Sequence, residues 1–411
     1  MHLTMMHMGI IIATLVCVIG IGIYSSRSVR SAAGYSVGGR SAGAPLVAGS
    51  IAGTVVGGGA TVGTAQLAYH FGLSAWWFTL GSGIAFIIMG LFYAKKMRGT
   101  GLETIPQFLA MHYGKKAEEL SSVISSIGIL FSAVASCLPG IEIVAEVFHV
   151  DAYTASALLI LLVAAYTFFG GMKSAGIGGM LKMGIIWVAL FIAGWEAFQA
   201  VHETAAWSQF PAAQFSLFGR GAEPALANLF SVLVGVLCTQ TYIQCIFSAD
   251  TPSTASAGCF LAAAIVIPVG LPSVAVGLYM QTLYPDIQPI MVLPTYLINE
   301  VHPLLGGLAM GGIILSLIGG LTLGIGTMIT RDMIVPLCRM TDDRKMLTVN
   351  KLTVLFVMLL ACFIAILNRG SEVLFWTYIS MALRGGGIFL PLTLAVFWPG
   401  HVKRGWAVLS M

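Results

Sequence analysis

Charge is what this sequence has least of: Asp, Glu, Lys and Arg make up 9% of its 411 residues, against about 25% in a soluble domain. With 58% hydrophobic residues and a mean hydropathy of +0.93, an ordinary soluble domain is excluded. The seven cysteines (Cys17, Cys137, Cys238, Cys245, Cys259, Cys338, Cys362) lack CxxC or Cys/His ligand spacing. Most fall inside apolar runs, so they read as small core residues and not as disulfides. No Lys/Arg run is interleaved with aromatics and the net charge is only +4, which leaves no nucleic-acid footprint. None of the eight histidines sits at mid-depth of an apolar run, and an HExxH motif is missing, so the chain is not expected to be an enzyme. Finally, no positive charge precedes the first apolar run in MHLTMMHM, whereas Arg27 and Arg30 follow it. That order marks a retained first span, not a cleaved signal peptide.

What is present is a succession of apolar runs, each long enough to cross about 30 Å of hydrocarbon as helix. Eleven spans are predicted, at 8–24, 44–68, 74–93, 120–147, 152–169, 177–201, 225–247, 257–283, 304–329, 352–367 and 373–398. A twelfth run begins near Trp406 and stops at Met411, so a C-terminally incomplete protein is expected. Alternating the loops from an outside N-terminus puts Arg331, Arg344, Lys345, Lys115, Lys95 and the other loop basics in the cytoplasm. Only Arg220 and Arg369 then face outward. This asymmetry is what the positive-inside rule requires of a multi-pass protein of the cell membrane. Two of the 20 basic residues, Lys182 and Arg384, remain inside spans.

Without its leading helix (8–24) the single transmembrane domain (1–411) divides into five spans at 44–201 and five at 225–398, with 399–411 starting the cut-off helix. An odd number of spans per half gives the halves opposite orientations, and inverted repeats of this kind place their sites where helices are interrupted at the midplane. Both leading spans carry a predicted break. In the first, Gly57, Gly58 and Gly59 follow one another mid-span, each costing about 1 kcal/mol of helix propensity. In the second, Thr239, Gln240, Thr241 and Gln244 cluster. Close helix packing is the alternative reading of the glycines.

The motifs are Gly38-Gly39-Arg40-Ser41, then Thr104-Ile105-Pro106-Gln107-Phe108-Leu109 with Tyr113-Gly114. Tyr166-Thr167 with Gly170-Gly171-Met172 and Thr330-Arg331-Asp332 follow. In this order, on this topology, the chain resembles the sodium/solute symporter family of proline, pantothenate and sugar symporters. The resemblance implies an all-α membrane protein with the LeuT-type five-plus-five inverted repeat and one extra leading transmembrane helix. It also implies a sodium site at backbone carbonyls, here Ala52, Val55 and Ile313, and a hydroxyl pair, here Ser316 and Leu317. A supporting Thr-Asp pair falls on Gly178 and Gly179. Only one hydroxyl survives, so sodium is an expected coupling ion on a depleted site. The solute positions implied are Thr54, Gly57, Gly58, Gly59, Thr239 and Gln240. The loss of the sugar transporters' glutamine at Gly59 and asparagine at Thr239 argues against a sugar.

Lys182 lies one turn after Gly179, on the face where the family places its ion. An ammonium there stands in for sodium or carries a proton; the alternative is that it snorkels to the nearby interface. Arg384 lies near the centre of the last span, beyond snorkelling reach, and is followed by three glycines and Pro391, so the helix is expected to open there. With no acid at mid-depth, its expected partner is a carboxylate of an anionic solute, and the alternative is a bond to opened-helix carbonyls. The reading is a secondary transporter for a small polar, carboxylate-bearing solute such as an organic acid or amino acid. It works in the lipid bilayer without a cofactor other than sodium. A proton-linked or sodium-independent carrier using Lys182, and a non-transporting sensor or channel on the same fold, are the rivals.

Overall fold

Backbone inside hydrocarbon must satisfy its own hydrogen bonds, which confines single crossing segments to helix. In a computed structural model, which describes residues 2–26, 38–203, 206–316 and 320–411, the chain is helical almost throughout. The first repeat follows α1 (Met5–Ser26) and runs through α2 (Ala44–Val55), α3 (Thr64–Phe71) and α4 (Trp77–Ile88). A π turn at Met89–Tyr93 leads on to α5 (Ala94–Gly99), then a short loop helix α6 (Ile105–Tyr113), α7 (Lys115–Phe148) and α8 (Ala152–Glu203). The second comprises α9 (Ala222–Leu237), α10 (Gln240–Phe247), α11 (Pro252–Leu283), a loop helix α12 (Val292–Asn299), α13 (Pro303–Ser316) and α14 (Gly320–Met328). A π turn at Ile329–Ile334, α15 (Val335–Cys338), α16 (Asp343–Leu367) and α17 (Val373–Phe397) complete it, and α18 (Arg404–Leu409) follows. Among the described residues seven helical stretches are long and apolar enough to cross a membrane. The other four expected spans are shorter apolar helices, at Met5–Ile21, Ala44–Val55, Ala152–Leu162 and Pro303–Ser316.

Both expected breaks are present. The helix of α2 ends at Val55; Val56 leaves the helical region at φ −79°, ψ 68°, and a π turn over Gly59–Gly63 restarts it. Between α9 and α10 the backbone opens at Cys238 and Thr239, the latter extended at φ −87°, ψ 113°. Glycines set how closely the pieces pack. A Cβ on Gly53 would fall 2.7 Å from Gly179 Cα, so α2 and α8 touch backbone to backbone, and Gly312 of α13 faces Ile185 and Ile186 of α8.

Two expectations fail. The last span does not open: α17 is continuous from Val373 to Phe397, with Pro391 inside it. Its glycines serve contact instead, Gly385 against Val234 and Gly387 against Ile124, and the Pro391 carbonyl accepts the Tyr113 hydroxyl. The fifth and sixth spans are one 52-residue helix, α8, with no loop at Gly170-Gly171. At 1.5 Å per residue such a helix has the length of two crossings.

Candidate functional site

Where α2 stops, the backbone passes close to the end of α13. Val56 N donates to Ala52 O and Gly57 N to Val55 O, each at 2.8 Å. A Cβ on Gly57 would stand 3.3 Å from Ser316 O, and Ser316 Oγ donates to Ile313 O at 2.8 Å. Val55 with Gly57 and Ile313 with Ser316 therefore converge, all buried, and Ala52 is buried one turn earlier. Thr54 donates to Ser50 O, Gly58 O accepts Gly63 N, and Gly59 lies beside Thr377, Phe78 and Leu374. These oxygens are four at most for a cation, since Gly178 and Gly179 add none from side chains; Leu317 lies outside the described residues.

Lys182 follows the Gly53–Gly179 contact by three residues and precedes the Gly312 contact at Ile185, so it sits on the stretch of α8 between α2 and α13. It is 4% exposed, and among the described residues no hydrogen bond or ion pair reaches it. The protein thus covers most of the side chain.

Arg384 is the largest fully buried side chain among the described residues, 1% exposed. Its guanidinium is held by hydroxyls: Nη1 donates to Thr239 Oγ1 at 2.8 Å, and Nη2 to Ser132 Oγ at 3.1 Å and Ser380 Oγ at 2.9 Å. Nε donates to Ser380 O at 3.1 Å. Ser380 is itself anchored to Gly128 O of α7, and a Cβ on Gly128 would collide with the arginine stem. Four of the five donors of an arginine are thus matched, and among the described residues none meets a carboxylate. The expected bond to opened-helix carbonyls is absent because the helix does not open. Thr239, on the break of α9–α10, and Arg384 are brought together; the α2–α3 break approaches this layer through Gly59 and Thr377, two turns away on α17.

Gln240 points elsewhere. Fully buried, its Oε1 accepts Ile105 N at 2.8 Å and its Nε2 donates to Glu103 O at 3.0 Å, clasping the start of α6. Around that clasp lies a polar cluster that sequence reasoning missed. Asp332, past the end of the ninth span, accepts from Thr104 Oγ1 at 3.1 Å and Gln107 Nε2 at 3.3 Å. Arg331 Nη2 lies 3.2 and 3.1 Å from the two Glu103 oxygens. Burial pushes the Asp332 carboxyl up to about 8 and raises Glu103, which Arg331 pulls back down. On the opposite side a cavity of about 550 Å³ is lined by Gln66, His70, Glu142, Gln288, Arg369 and Glu372. Beneath it Gln66 Oε1 accepts Val373 N at 3.0 Å. Ser132, Ser380, Gln66 and Asp332 gave no signal of their own, except that Thr104, Gln107 and Asp332 lie in the motifs quoted above. No group of three or more metal-ligating side chains occurs among the described residues.

A human high affinity choline transporter is 27% identical over 251 residues, covering 59% of this chain and 43% of the transporter. For its Torpedo marmorata counterpart the figures are 26% over 300 residues, 67% and 51%. A Staphylococcus aureus sodium/proline symporter is 25% identical over 406 residues, 90% of this chain and 77% of the symporter. The chain thus spans about half the length of the choline transporters it matches. In structure it is similar to a substrate-bound, outward-open Na+-coupled sialic acid symporter (TM-score 0.82, 17% identity, 99% of this chain and 89% of that one). Mhp1, a nucleobase-cation-symport-1 family transporter, follows at TM-score 0.61 and 9% identity, covering 90% and 82%. These likenesses show the LeuT-type fold. A profile of the sodium:solute symporter family matches residues 35–411, and the chain belongs to that family.

Proposed function

We propose that the chain is a secondary active transporter, set in a cell membrane with its N-terminus outside, that carries a small carboxylate-bearing solute of amino-acid type by alternating access. The observation that carries this reading is Arg384, fully buried at mid-depth and held only by uncharged groups. A charge at that depth costs at least about 2.5 to 3.5 kcal/mol and is retained for a substrate, an ion or a partner. Arg384 also borders the N-terminus of α10, the positive end of a half-helix, while the C-terminus of α2 presents carbonyls, the negative end. Such poles favour a solute that is negative at one end and positive at the other. In the proposed orientation Glu142, Glu146, Asp151, Glu196, Glu203, Glu223, Asp286, Glu300 and Glu372 face outward with only Arg220 and Arg369. That field repels a net anion, so a zwitterion is favoured over the plain organic acid. A proline symporter among the relatives is consistent with this class.

Family membership supports sodium as the coupling ion in this reading, and Ala52, Val55, Ile313 and Ser316 would hold it. A second reading rests on Lys182: buried, unpartnered among the described residues, and between α2 and α13, its ammonium takes the ion's place and the carrier runs on protons or without coupling. Uptake of radiolabelled amino acids and carboxylates into proteoliposomes under imposed sodium or proton gradients tests both. Saturable, sodium-driven uptake of a zwitterion that Arg384→Gln abolishes upholds the first reading. Proton-driven uptake that Lys182→Ala uncouples replaces it with the second, and uptake that survives Arg384→Gln removes the carboxylate contact.

A further inference from the structure

The two buried glutamines behind the helix breaks do the same thing at opposite ends of the molecule. Gln66, on α3, is 5% exposed and accepts from Val373 N, the first helical residue of α17. That helix has no side-chain cap of its own, since Glu372 at its N-cap position makes no capping bond. Gln240, on α10, is fully buried and accepts from Ile105 N, the first helical residue of α6, while donating to Glu103 O. The opening N–H groups of a helix have no partner within it and must find one elsewhere. In both cases the partner is supplied by a half-helix that lies just past a break, across the closure between the two helices.

The surroundings make each bond conditional on closure. Under the cavity of about 550 Å³, Gly63 packs on Val373 and Leu374, where an added Cβ would come within 2.9 Å of Val373 Cγ1. At the α6 end, Thr104 and Gln107 engage Asp332, and Glu103 engages Arg331. Neither amide can stay in place if its half-helix swings away. A buried N–H left alone costs a substantial fraction of its hydrogen bond, so each bond is worth making only in the closed state.

We infer that Gln66 and Gln240 are paired latches, Gln66 holding closed the side that bears the cavity and Gln240 the side that bears α6, and that their balance sets which side opens. Both are positioning residues, acting through helix ends and not on the solute. The inference rests on the alternating-access reading, but its test reads opening and not transport.

Two thiols report the two sides: native Cys245, 2% exposed on α10, and an introduced Leu374→Cys under the cavity, where Leu374 is 1% exposed. In full-length protein in oriented membranes, with exposed Cys17 and Cys338 changed to serine, an impermeant thiol reagent is applied from either side. Peptide mapping then identifies which thiol has reacted. Gln240→Ala is expected to raise labelling of Cys245 from the α6 side about tenfold and to lower that of Leu374→Cys, and Gln66→Ala to do the reverse. Gln66→Glu keeps the acceptor and is expected to label like the parent, which separates lost capping from a misfolded variant. Shifts in the same direction for both alanine variants, or none in either, overturn the inference. Opposite shifts in a protein that moves no solute leave the latches standing and remove the transport reading.

Discussion

Three hydroxyls hold Arg384, and hydroxyls carry no charge to offset its own. The cradle of Ser132, Ser380 and Thr239 fixes the plane of the guanidinium without neutralising its charge. Its precision depends on Gly128, whose missing side chain makes room for the arginine stem. Gly128→Ala is therefore expected to push the guanidinium off its hydroxyls at a cost of about 1–3 kcal/mol, the usual range for overpacking. Solute binding should weaken about tenfold or more in a radioligand assay, and unchanged affinity would mean that the arginine is only structural. Arg384 itself was legible in the sequence, because a charge a dozen residues from either end of a span has no bland explanation. Ser132, Ser380 and Gly128 were not. Serine and glycine line most helix contacts in a membrane, and nothing in one sequence says which of them face the same arginine.

Among the elements, α6 is the one whose role was least readable, yet its start holds the buried Asp332 of the π turn at Ile329–Ile334 through Thr104 and Gln107. With the latch closed, Asp332 is 2% exposed and its carboxyl is raised from 3.8 to about 8 by burial. An open latch admits water and returns it toward its ordinary value. The closed form thus binds the proton more tightly, so its advantage is greatest at low pH, declines as pH rises from about 4 to 8, and is exhausted above that. The charges that act on Asp332 are Glu118 and Lys115 on α7, with Arg331 beside it in the chain; Arg331 pairs with Glu103 ahead of α6, on which Arg40 and Asp343 of α16 also act. Labelling of Cys245 should increase with pH between about 5 and 8, and Asp332→Asn should flatten the increase. A flat parent profile would sink this assignment. The breaks in the leading spans were legible because three glycines or a polar cluster at mid-depth conflict with a plain helix. The closed run of α17 was not. Its glycines and Pro391 look like an opening in isolation, and only the neighbours Val234, Ile124 and Tyr113 show them to be contacts. Thr239 and Gln240 were equally visible as polar, but one stands on the break and the other opens α10, which sends them to different partners.

At the scale of the whole molecule, alternating access requires that the half-helix α3 part from α17 once per cycle. Their contact is tight enough to be fastened covalently. An ideal Cβ at Gly63 lies 3.1 Å from Val373 Cβ, a little shorter than the usual separation of about 3.5–4.5 Å in a disulfide and brought within it by a small backbone shift. A Gly63→Cys/Val373→Cys pair, oxidised in the membrane, would hold the cavity side shut while leaving α6, α10 and Asp332 untouched. If the fold works by moving its broken leading helices, oxidation should stop counterflow of labelled solute in both directions, and a reductant should restore it. Labelling of Cys245 from the α6 side should persist in the cross-linked protein, because that closure has its own latch. Counterflow that continues with the disulfide formed would show that solute does not pass between α3 and α17. Loss of Cys245 labelling together with counterflow would show instead that the two closures move as one body, so that neither opens without the other.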